Sequence, residues 1–318
     1  MTYRFFNRLF TFFVLFKMSE IKSYQQCPAC QSAAISKVFS CKDETVSNEI
    51  FEIWQCSSCT LRFTQNVPDE QAIGRYYQSS DYVSHSDTKK GIINRLYHAV
   101  RNHTLKGKRA LLDGLVGGSA ATLLDAGAGT GAFAHTMQRH GWSVVGIEPD
   151  ESARKTAKEN YGIDLQTPEK LTLLPTQSFD VVTLWHVLEH VHDLHNYLDS
   201  FHRVLKYDGT LIIAVPNYCS YDARVYDNCW AAYDVPRHLY HFSPKSMETL
   251  LRNHGFVVTE RRPMWFDSFY VSMLSEKHRA KNGNLVRAFW NGLVSNAKAL
   301  ADTNKCSSVI YIAKKSLQ

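Results

Sequence analysis

The chain has 318 residues, of which 44% are hydrophobic, as is usual for a folded globular protein. Its formal net charge is +6, and Arg4, Arg8 and Lys17 supply three of those charges. The other basic residues are scattered, so the composition gives no strong signal for nucleic-acid binding. The length leaves room for one large domain and one small module.

Residues 1–22 are predicted to be a tail. Residues 5–16 are rich in aromatic side chains, but Asn7 and Arg8 interrupt them, and the stretch is shorter than the roughly 20 apolar residues that span a bilayer. No transmembrane span is therefore predicted, and no cleavage site of a secretory signal follows. Because Met18 opens an ordinary polar segment, we favour a start codon assigned too far upstream, with a short interfacial anchor as the alternative.

Two Cys-x-x-Cys pairs mark a small module over residues 23–66. Cys27 and Cys30 form the first pair, and Cys56 and Cys59 form the second. Each pair can turn both sulfur atoms towards one ion, so a zinc ribbon with a structural zinc is predicted. The segment is too small for a sufficient core, and the metal would hold it together. A degenerate module with buried thiols is the alternative. The predicted strands cover residues 34–40, 49–55 and 60–64.

The other four cysteines are scattered along the chain, at positions 41, 219, 229 and 306. This distribution argues against a disulfide framework and favours a reducing compartment. A cytoplasmic location is therefore predicted.

Residues 116–318 alternate short apolar runs with helical patterns, after a connector and cap helices over residues 67–115. The alternation predicts an α/β fold with a doubly wound, mostly parallel sheet, in which ligands bind beyond the carboxyl ends of the strands. The predicted strands cover residues 122–126, 143–147, 164–166, 179–185, 210–215, 256–260 and 308–313. The predicted helices cover residues 131–140, 152–161, 194–205 and 244–254.

A glycine-rich turn follows the first of these strands. Gly127, Gly129 and Gly131 lie between the strand and the next helix, where glycine lets the backbone approach a ligand closely. Such a loop is a weak signal alone, because dinucleotide-binding enzymes use a similar one. Two acidic residues sharpen the signal. Asp125 lies within the strand end, and Glu148 ends the next strand, where it can bind both ribose hydroxyls.

Together, residues 123–131, Glu148, and residues 179–180, 187–191 and 205–215 resemble the ordered motifs of class I S-adenosylmethionine-dependent methyltransferases. The resemblance implies a seven-stranded Rossmann-like sheet whose last strand is antiparallel, and S-adenosylmethionine as the cofactor. One departure is the loop after the third strand, where the family often has an acidic residue near the adenine and this chain offers only Glu169. The cofactor-binding candidates are Asp125, Gly127, Gly129, Gly131, Glu148, Pro149, Trp185 and His186.

A loop rich in aromatic and ionisable residues, 230–243, follows the fifth strand, where the family usually places residues that face the substrate. Since histidine suits a general base at neutral pH, His241 and then His238 are the catalytic candidates, with Tyr240 as a third. The alternative is that these side chains brace the loop. Arg237 either binds an anionic group of the substrate or pairs with Asp234. Residues 262–301 either cover the substrate pocket or are ordinary packing helices.

A second histidine-rich stretch, His186-Val-Leu-Glu189-His190, follows the fourth strand. Oxygen methyltransferases of similar appearance carry a Glu-x-x-Glu-His metal site here, and this chain has His186 in place of the first glutamate. A metal-assisted mechanism is therefore one interpretation. The other is that Glu189 and His190 fix the loop through hydrogen bonds.

The motifs favour an S-adenosylmethionine-dependent methyltransferase acting on a small molecule. The fused zinc ribbon resembles that of bacterial sugar carbon-methyltransferases and suggests a sugar or cell-envelope intermediate as the acceptor. Oxygen methylation of a small molecule, as in quinone biosynthesis, is an equally favoured interpretation. The alternative is a non-catalytic scaffold that binds S-adenosylmethionine. A nicotinamide-dependent oxidoreductase lacks support, because the third glycine follows the second too closely. The oligomeric state cannot be inferred from the sequence.

Overall fold

The structure is a computed structural model that describes residues 21–78, 92–117, 121–280 and 282–316. The predicted tail lies outside the described residues, apart from its last two positions. Those two, Ile21–Lys22, form a short strand, β1, which pairs with β5 (Val67–Pro68). The N-terminal module therefore takes in residues that the sequence assigned to the tail and to the connector.

Three antiparallel strands build the N-terminal module. They are β2 (Ile35–Lys42), β3 (Ile50–Cys56) and β4 (Arg62–Gln65). Each agrees with its predicted range to within two residues. A helix, α1 (Ile92–Leu115), then leads into the main domain, within the segment where cap helices were predicted. Its last turn buries Leu111 and Leu112 in a cluster with side chains of the main sheet.

The main sheet has six strands in the order β11-β12-β9-β8-β6-β7. Strands β6 to β9 are parallel, whereas β12 runs antiparallel to both of its neighbours. The predicted α/β, doubly wound, mostly parallel fold is thereby confirmed. These strands are β6 (Thr122–Ala126), β7 (Ser143–Ile147), β8 (Phe179–Trp185), β9 (Leu205–Pro216), β11 (Phe256–Pro263) and β12 (Ser308–Lys315).

The seventh strand that the resemblance implied is reduced to a single bridge. Gln166 pairs with Ile147 at the sheet edge, held by two backbone hydrogen bonds of 2.8 Å. Pro168 follows two residues later and begins a short 3₁₀ helix. Because proline has no N–H to donate, the ladder cannot extend beyond this point.

Seven helices follow α1 in the described part of the chain, and the four predicted ones agree to within two residues. Side chains cap several of them: Asp150 accepts a hydrogen bond from Ala153 N, and Ser243 forms a capping box with Ser246. The seven are α2 (Ala132–Gln138), α3 (Glu151–Tyr161), α4 (Leu194–Val204), α5 (Tyr221–Tyr226), α6 (Pro244–Asn253), α7 (Asp267–Arg279) and α8 (Leu285–Ala301).

The N-terminal module is joined to the main domain through a shared sheet. A two-residue strand of the histidine-rich loop, β10 (Tyr240–His241), pairs antiparallel with β4, so that Tyr240 lies opposite Phe63. Buried residues of the module, including Leu61 and Phe63, belong to the same hydrophobic cluster as Phe242 and Met247 of the main domain. Within the described residues, no helix is both long and apolar enough to cross a membrane.

Candidate active site

The glycine-rich loop lies at the carboxyl end of β6. Gly127 has a φ of +72°, and a Cβ there would approach a Cγ of Val187 to 2.2 Å, so no other residue fits. Gly129 has a φ of +55°, and a Cβ there would project into open space. The space beside Gly129 is therefore open, and the predicted role of the loop in binding a cofactor stays a prediction.

Two buried acidic residues flank this loop. Asp125, in β6, accepts a hydrogen bond from Thr183 Oγ1 at 2.7 Å. Burial raises the pKa of Asp125 to about 6, although Thr183 and Lys108 oppose the change. Glu148 follows β7 and accepts hydrogen bonds from Gly129 N at 2.8 Å and Asp150 N at 3.0 Å, and burial raises its pKa. The two carboxyl groups thus lie at the ends of adjacent parallel strands.

A lysine that the sequence did not single out also reaches this site. The ammonium of Lys108, from α1, lies 4.2 Å from the ring centroid of Trp185. Burial lowers the pKa of Lys108 to about 8, although the charges of Asp125 and Asp267 oppose the change. The indole Nε1 of Trp185 is buried and has no hydrogen-bond partner in the described structure. Pro149 occupies the turn after Glu148.

His186 forms ion pairs on both sides of its ring. Nδ1 lies 3.3 Å from Glu189 Oε1, and Nε2 lies 3.0 Å from Asp267 Oδ2. Burial disfavours the charged ring, but Asp267 and Glu189 outweigh it and raise the pKa of His186 to about 10. Asp267 is the first residue of α7, so the 262–301 segment contacts the site. Neither Asp267 nor Lys108 belongs to a motif, and only the fold brings them here.

Glu189, His190 and His238 place three potential ligand atoms within 4.8 Å of one another. Nδ1 of His190 lies 3.0 Å from the carbonyl of Arg237, and Nδ1 of His238 lies 2.8 Å from that of Ala232. These contacts favour a proton on each Nδ1 and leave each Nε2 with a lone pair. Glu189 Oε2 is buried, with no hydrogen-bond partner in the described structure. Two imidazoles and a carboxylate could hold a metal ion, and His238 rather than the ion-paired His186 completes this set.

The other two catalytic candidates face the N-terminal module. His241 Nε2 lies 3.1 Å from Thr64 Oγ1. That hydroxyl donates a hydrogen bond of 2.7 Å to the carbonyl of His238. Nε2 of His241 is therefore the donor to Thr64, and burial keeps the pKa of this ring well below its ordinary value. The hydroxyl of Tyr240 lies 3.2 Å from that of Tyr24. Of the three candidates, only His238 lies in the cluster beside the end of β8.

The four predicted zinc ligands converge in the N-terminal module. The sulfur atoms of Cys27 and Cys59 lie 3.5 Å apart, and those of Cys30 and Cys56 lie 3.6 Å apart. All four lie within 4.8 Å of one another. Zinc–sulfur bonds of about 2.3 Å in a tetrahedron place the sulfur atoms about 3.8 Å apart, so the thiols fit a zinc ion.

Comparisons with known proteins agree with this geometry. A family model described as a methyltransferase domain matches residues 97–261, just over half of the chain. The mitochondrial ubiquinone biosynthesis O-methyltransferase of Bos taurus is 29% identical over 167 residues, which cover 48% of this chain and 45% of that protein. The ubiquinone biosynthesis O-methyltransferase of Rhodopseudomonas palustris strain BisB5 is 26% identical over 160 residues, 47% of this chain and 63% of that protein. The chain thus spans less than two thirds of the length of these relatives.

Among solved structures, the magnesium protoporphyrin IX methyltransferase of Synechocystis PCC 6803 with bound S-adenosylhomocysteine has a TM-score of 0.51 and 16% identity. The match covers 78% of this chain and all of that one, and it shows the shared fold. Because the family model spans β6 to β9, the glycine loop and both histidine-rich stretches, the chain belongs to the family of class I S-adenosylmethionine-dependent methyltransferases.

Proposed function

We propose that this protein transfers a methyl group from S-adenosylmethionine to a hydroxyl oxygen of a small-molecule acceptor. The observation that carries the proposal is the cluster of Glu189, His190 and His238 at the end of β8, in which the buried Glu189 Oε2 has no hydrogen-bond partner in the described structure. The activity named for the curated relatives, oxygen methylation, supports the choice of oxygen over carbon.

The cofactor site would be formed by the predicted residues at the strand ends. S-adenosylmethionine supplies a methyl group on a positively charged sulfur. Asp125, with a pKa of about 6, is mostly ionised at neutral pH and would attract a cationic amino group. Glu148 keeps lone pairs beyond its two backbone hydrogen bonds, and these would accept the ribose hydroxyls. Gly127, Gly129 and Gly131 would admit the ligand, and Pro149, Trp185 and His186 would border it.

His238 would act as the general base. In the transfer, the acceptor oxygen bonds to the methyl carbon, the carbon–sulfur bond breaks with its electron pair passing to sulfur, and the hydroxyl proton passes to Nε2 of His238. Asp234 Oδ2 lies 4.0 Å from that nitrogen and would stabilise the imidazolium. His190 is less suited to carry the proton, because burial and the neighbouring His238 lower its pKa to about 4.

The test is methyl transfer to 3,4-dihydroxybenzoate, a simple catechol, followed by mass spectrometry. We expect methylation at oxygen, and His238→Gln should lower kcat by about 100-fold or more, the usual contribution of general-base catalysis. His241→Gln is the matched control and should keep most of the turnover. Both variants should bind S-adenosylhomocysteine as the wild type does in calorimetric titration. Equal turnover in wild type and His238→Gln, or methylation at carbon, would contradict the proposal.

The same cluster supports a metal-assisted form of this reaction. A metal ion held by Glu189, His190 and His238 would bind the acceptor hydroxyl as an oxyanion and lower its pKa. Elemental analysis separates the two forms. The cysteine module would account for one ion per chain. A second ion in the wild type that is absent from His190→Gln would favour the metal-assisted form, whereas one ion in both proteins would favour His238 as a simple base.

We further propose that the cysteine module holds a structural zinc ion. The convergence of Cys27, Cys30, Cys56 and Cys59 supports it. Four thiolates leave no open coordination position for chemistry, so the ion would hold the module together.

A non-catalytic scaffold would bind S-adenosylhomocysteine and show no methyl transfer to any acceptor, sugars included.

A further inference from the structure

The hairpin of α7 and α8 has its apolar residues on the wrong side for an ordinary surface helix. The outward face of α8 consists of large exposed apolar side chains, whereas the inward face holds small and polar residues. The outward side chains are Leu285, Val286, Phe289, Trp290, Leu293 and Leu300. The inward ones are Ala288, Asn291, Gly292, Ser295 and Ala299. Helix α7 likewise buries Ser268, Ser272, Ser275 and Glu276.

The inward face has specific reasons for its composition. Asn291 donates a hydrogen bond to the Tyr226 hydroxyl at 2.9 Å, and Ser295 donates to Asp222 at 2.7 Å. A Cβ at Gly292 would lie 2.6 Å from the ring of Phe269, so the two helices touch closely there. The hairpin is therefore held by hydrogen bonds and close approach, and its fold does not depend on the large apolar side chains that point outward.

The charged residues of the hairpin are mostly basic. Residues 268–301 contain five Lys and Arg residues and one acidic residue, Glu276. The carboxylate of Glu276 is buried and bonds Arg287 through two contacts of 2.7 Å. Lys277 and Arg279 end α7, and Lys298 lies in the last turn of α8. The apolar face is thus bordered mainly by positive charge: no acidic side chain of residues 268–301 is exposed, and Asp302, the C-cap of α8, pairs with Lys305.

We propose that the outward face of α8 docks on an anionic phospholipid surface. Apolar side chains with tryptophan enter the interface between headgroups and acyl chains, and flanking lysines and arginines bind the phosphates. A second copy of this face would bring like charges together. The N-terminal tail offers no complement either, since residues 1–17 carry three basic residues and no acidic one. Because Asp267 opens α7 and bonds His186, the hairpin that carries this face also contacts the candidate active site.

The test measures binding of the full chain to vesicles by flotation. One set contains equal phosphatidylglycerol and phosphatidylcholine, and the other contains phosphatidylcholine alone. The variant Val286→Glu/Trp290→Glu changes side chains that are 80% and 62% exposed, so the fold should tolerate it. The matched control, Leu173→Glu/Tyr207→Glu, changes side chains that are 72% and 78% exposed on other parts of the surface. Binding of S-adenosylhomocysteine by each variant verifies its folding independently of the proposed reaction.

We expect the wild type and the control to bind the anionic vesicles. The hairpin variant should bind at least about tenfold more weakly, because it loses apolar burial and adds negative charge. Added salt should weaken wild-type binding. Equal binding by the hairpin variant would place the contact elsewhere and overturn the proposal. A second result would also overturn it: the wild type binds no vesicles and is a dimer in light scattering, whereas the hairpin variant is a monomer. A second copy would then occupy the face.

Discussion

At the scale of single residues, His186 offers a direct test of the site's electrostatics. Its ring bonds Glu189 and Asp267, which raise its pKa to about 10, and the pKa values of both carboxyl groups are lowered. Below pH 6.5 the ring is charged in the folded and the unfolded chain alike, so the ion pairs contribute fully to stability. Between pH 6.5 and 10 the ring loses its proton in the unfolded chain but keeps it in the folded chain. Folding must then bind a proton, so the stabilising contribution falls as the pH rises and disappears near pH 10.

We therefore expect His186→Gln to lose most stability, relative to wild type, near pH 6, and progressively less as the pH approaches 10. Urea denaturation at several pH values measures the difference in the free energy of unfolding. His140→Gln is the control: that ring is exposed and contacts the carbonyl of Thr136 in the preceding helix, so its effect should stay small throughout. A His186→Gln effect that grows with pH would contradict a charged ring.

The predictability of each site residue depends on how that residue is positioned. Gly127 could be proposed from the sequence because a tight turn requires glycine, and Glu148 because it directly follows a predicted strand. Lys108 and Asp267 were missed because they come from helices far away in sequence, and no motif marks them. The orientation of His241 was also beyond the sequence, because it depends on a contact with Thr64 of the N-terminal module.

At the scale of elements, Arg237 links three segments that the sequence treated separately. Its buried guanidinium lies 3.1 Å from Asp43 after β2 and 2.6 Å from Asp234 in the histidine-rich loop, and it donates to the carbonyl of Tyr76 at 2.7 Å. Of the two predicted roles for Arg237, pairing with Asp234 is the one that the contacts show. The guanidinium is fully enclosed, which removes it from a substrate.

Replacement of Arg237 by Met should destabilise the protein by about 3–5 kcal/mol, because it leaves buried carboxylates without their partner. Urea denaturation measures this loss, and Arg252→Met, an exposed position at the end of α6, should change stability little. A loss no larger than that of the control would mean that water replaces the guanidinium.

Long helices and strands were predictable from the sequence, whereas a very short strand and a helix with its apolar side chains outward were not. The helix over Pro244–Asn253 follows from its capping serine and apolar spacing, which are local signals. The two-residue strand β10 has no such signal, since pairing with β4 alone creates it. The outward face of α8 was not predictable either, because the usual pattern places large apolar side chains inward, and here they are exposed.

At the scale of the whole molecule, the N-terminal module and the main domain share one core and one sheet. The sequence predicted a separate module, because its composition and its paired cysteines set it apart from the rest of the chain. The β4–β10 pairing and the common hydrophobic cluster instead imply that the two parts unfold together. The module also touches the histidine-rich loop directly, since Thr64 donates a hydrogen bond to the carbonyl of His238.

Loss of the proposed zinc ion should therefore lower the stability of the whole protein. In calorimetry we expect a single unfolding transition, which Cys59→Ser shifts to lower temperature and S-adenosylhomocysteine shifts to higher temperature, since a ligand of the folded state stabilises everything that unfolds with its site. Cys229→Ser, remote from the cysteine cluster, is the control and should keep both the zinc and the transition. Two transitions, with the ligand moving only one of them, would show that the module folds independently, and zinc would then be uncoupled from the candidate active site.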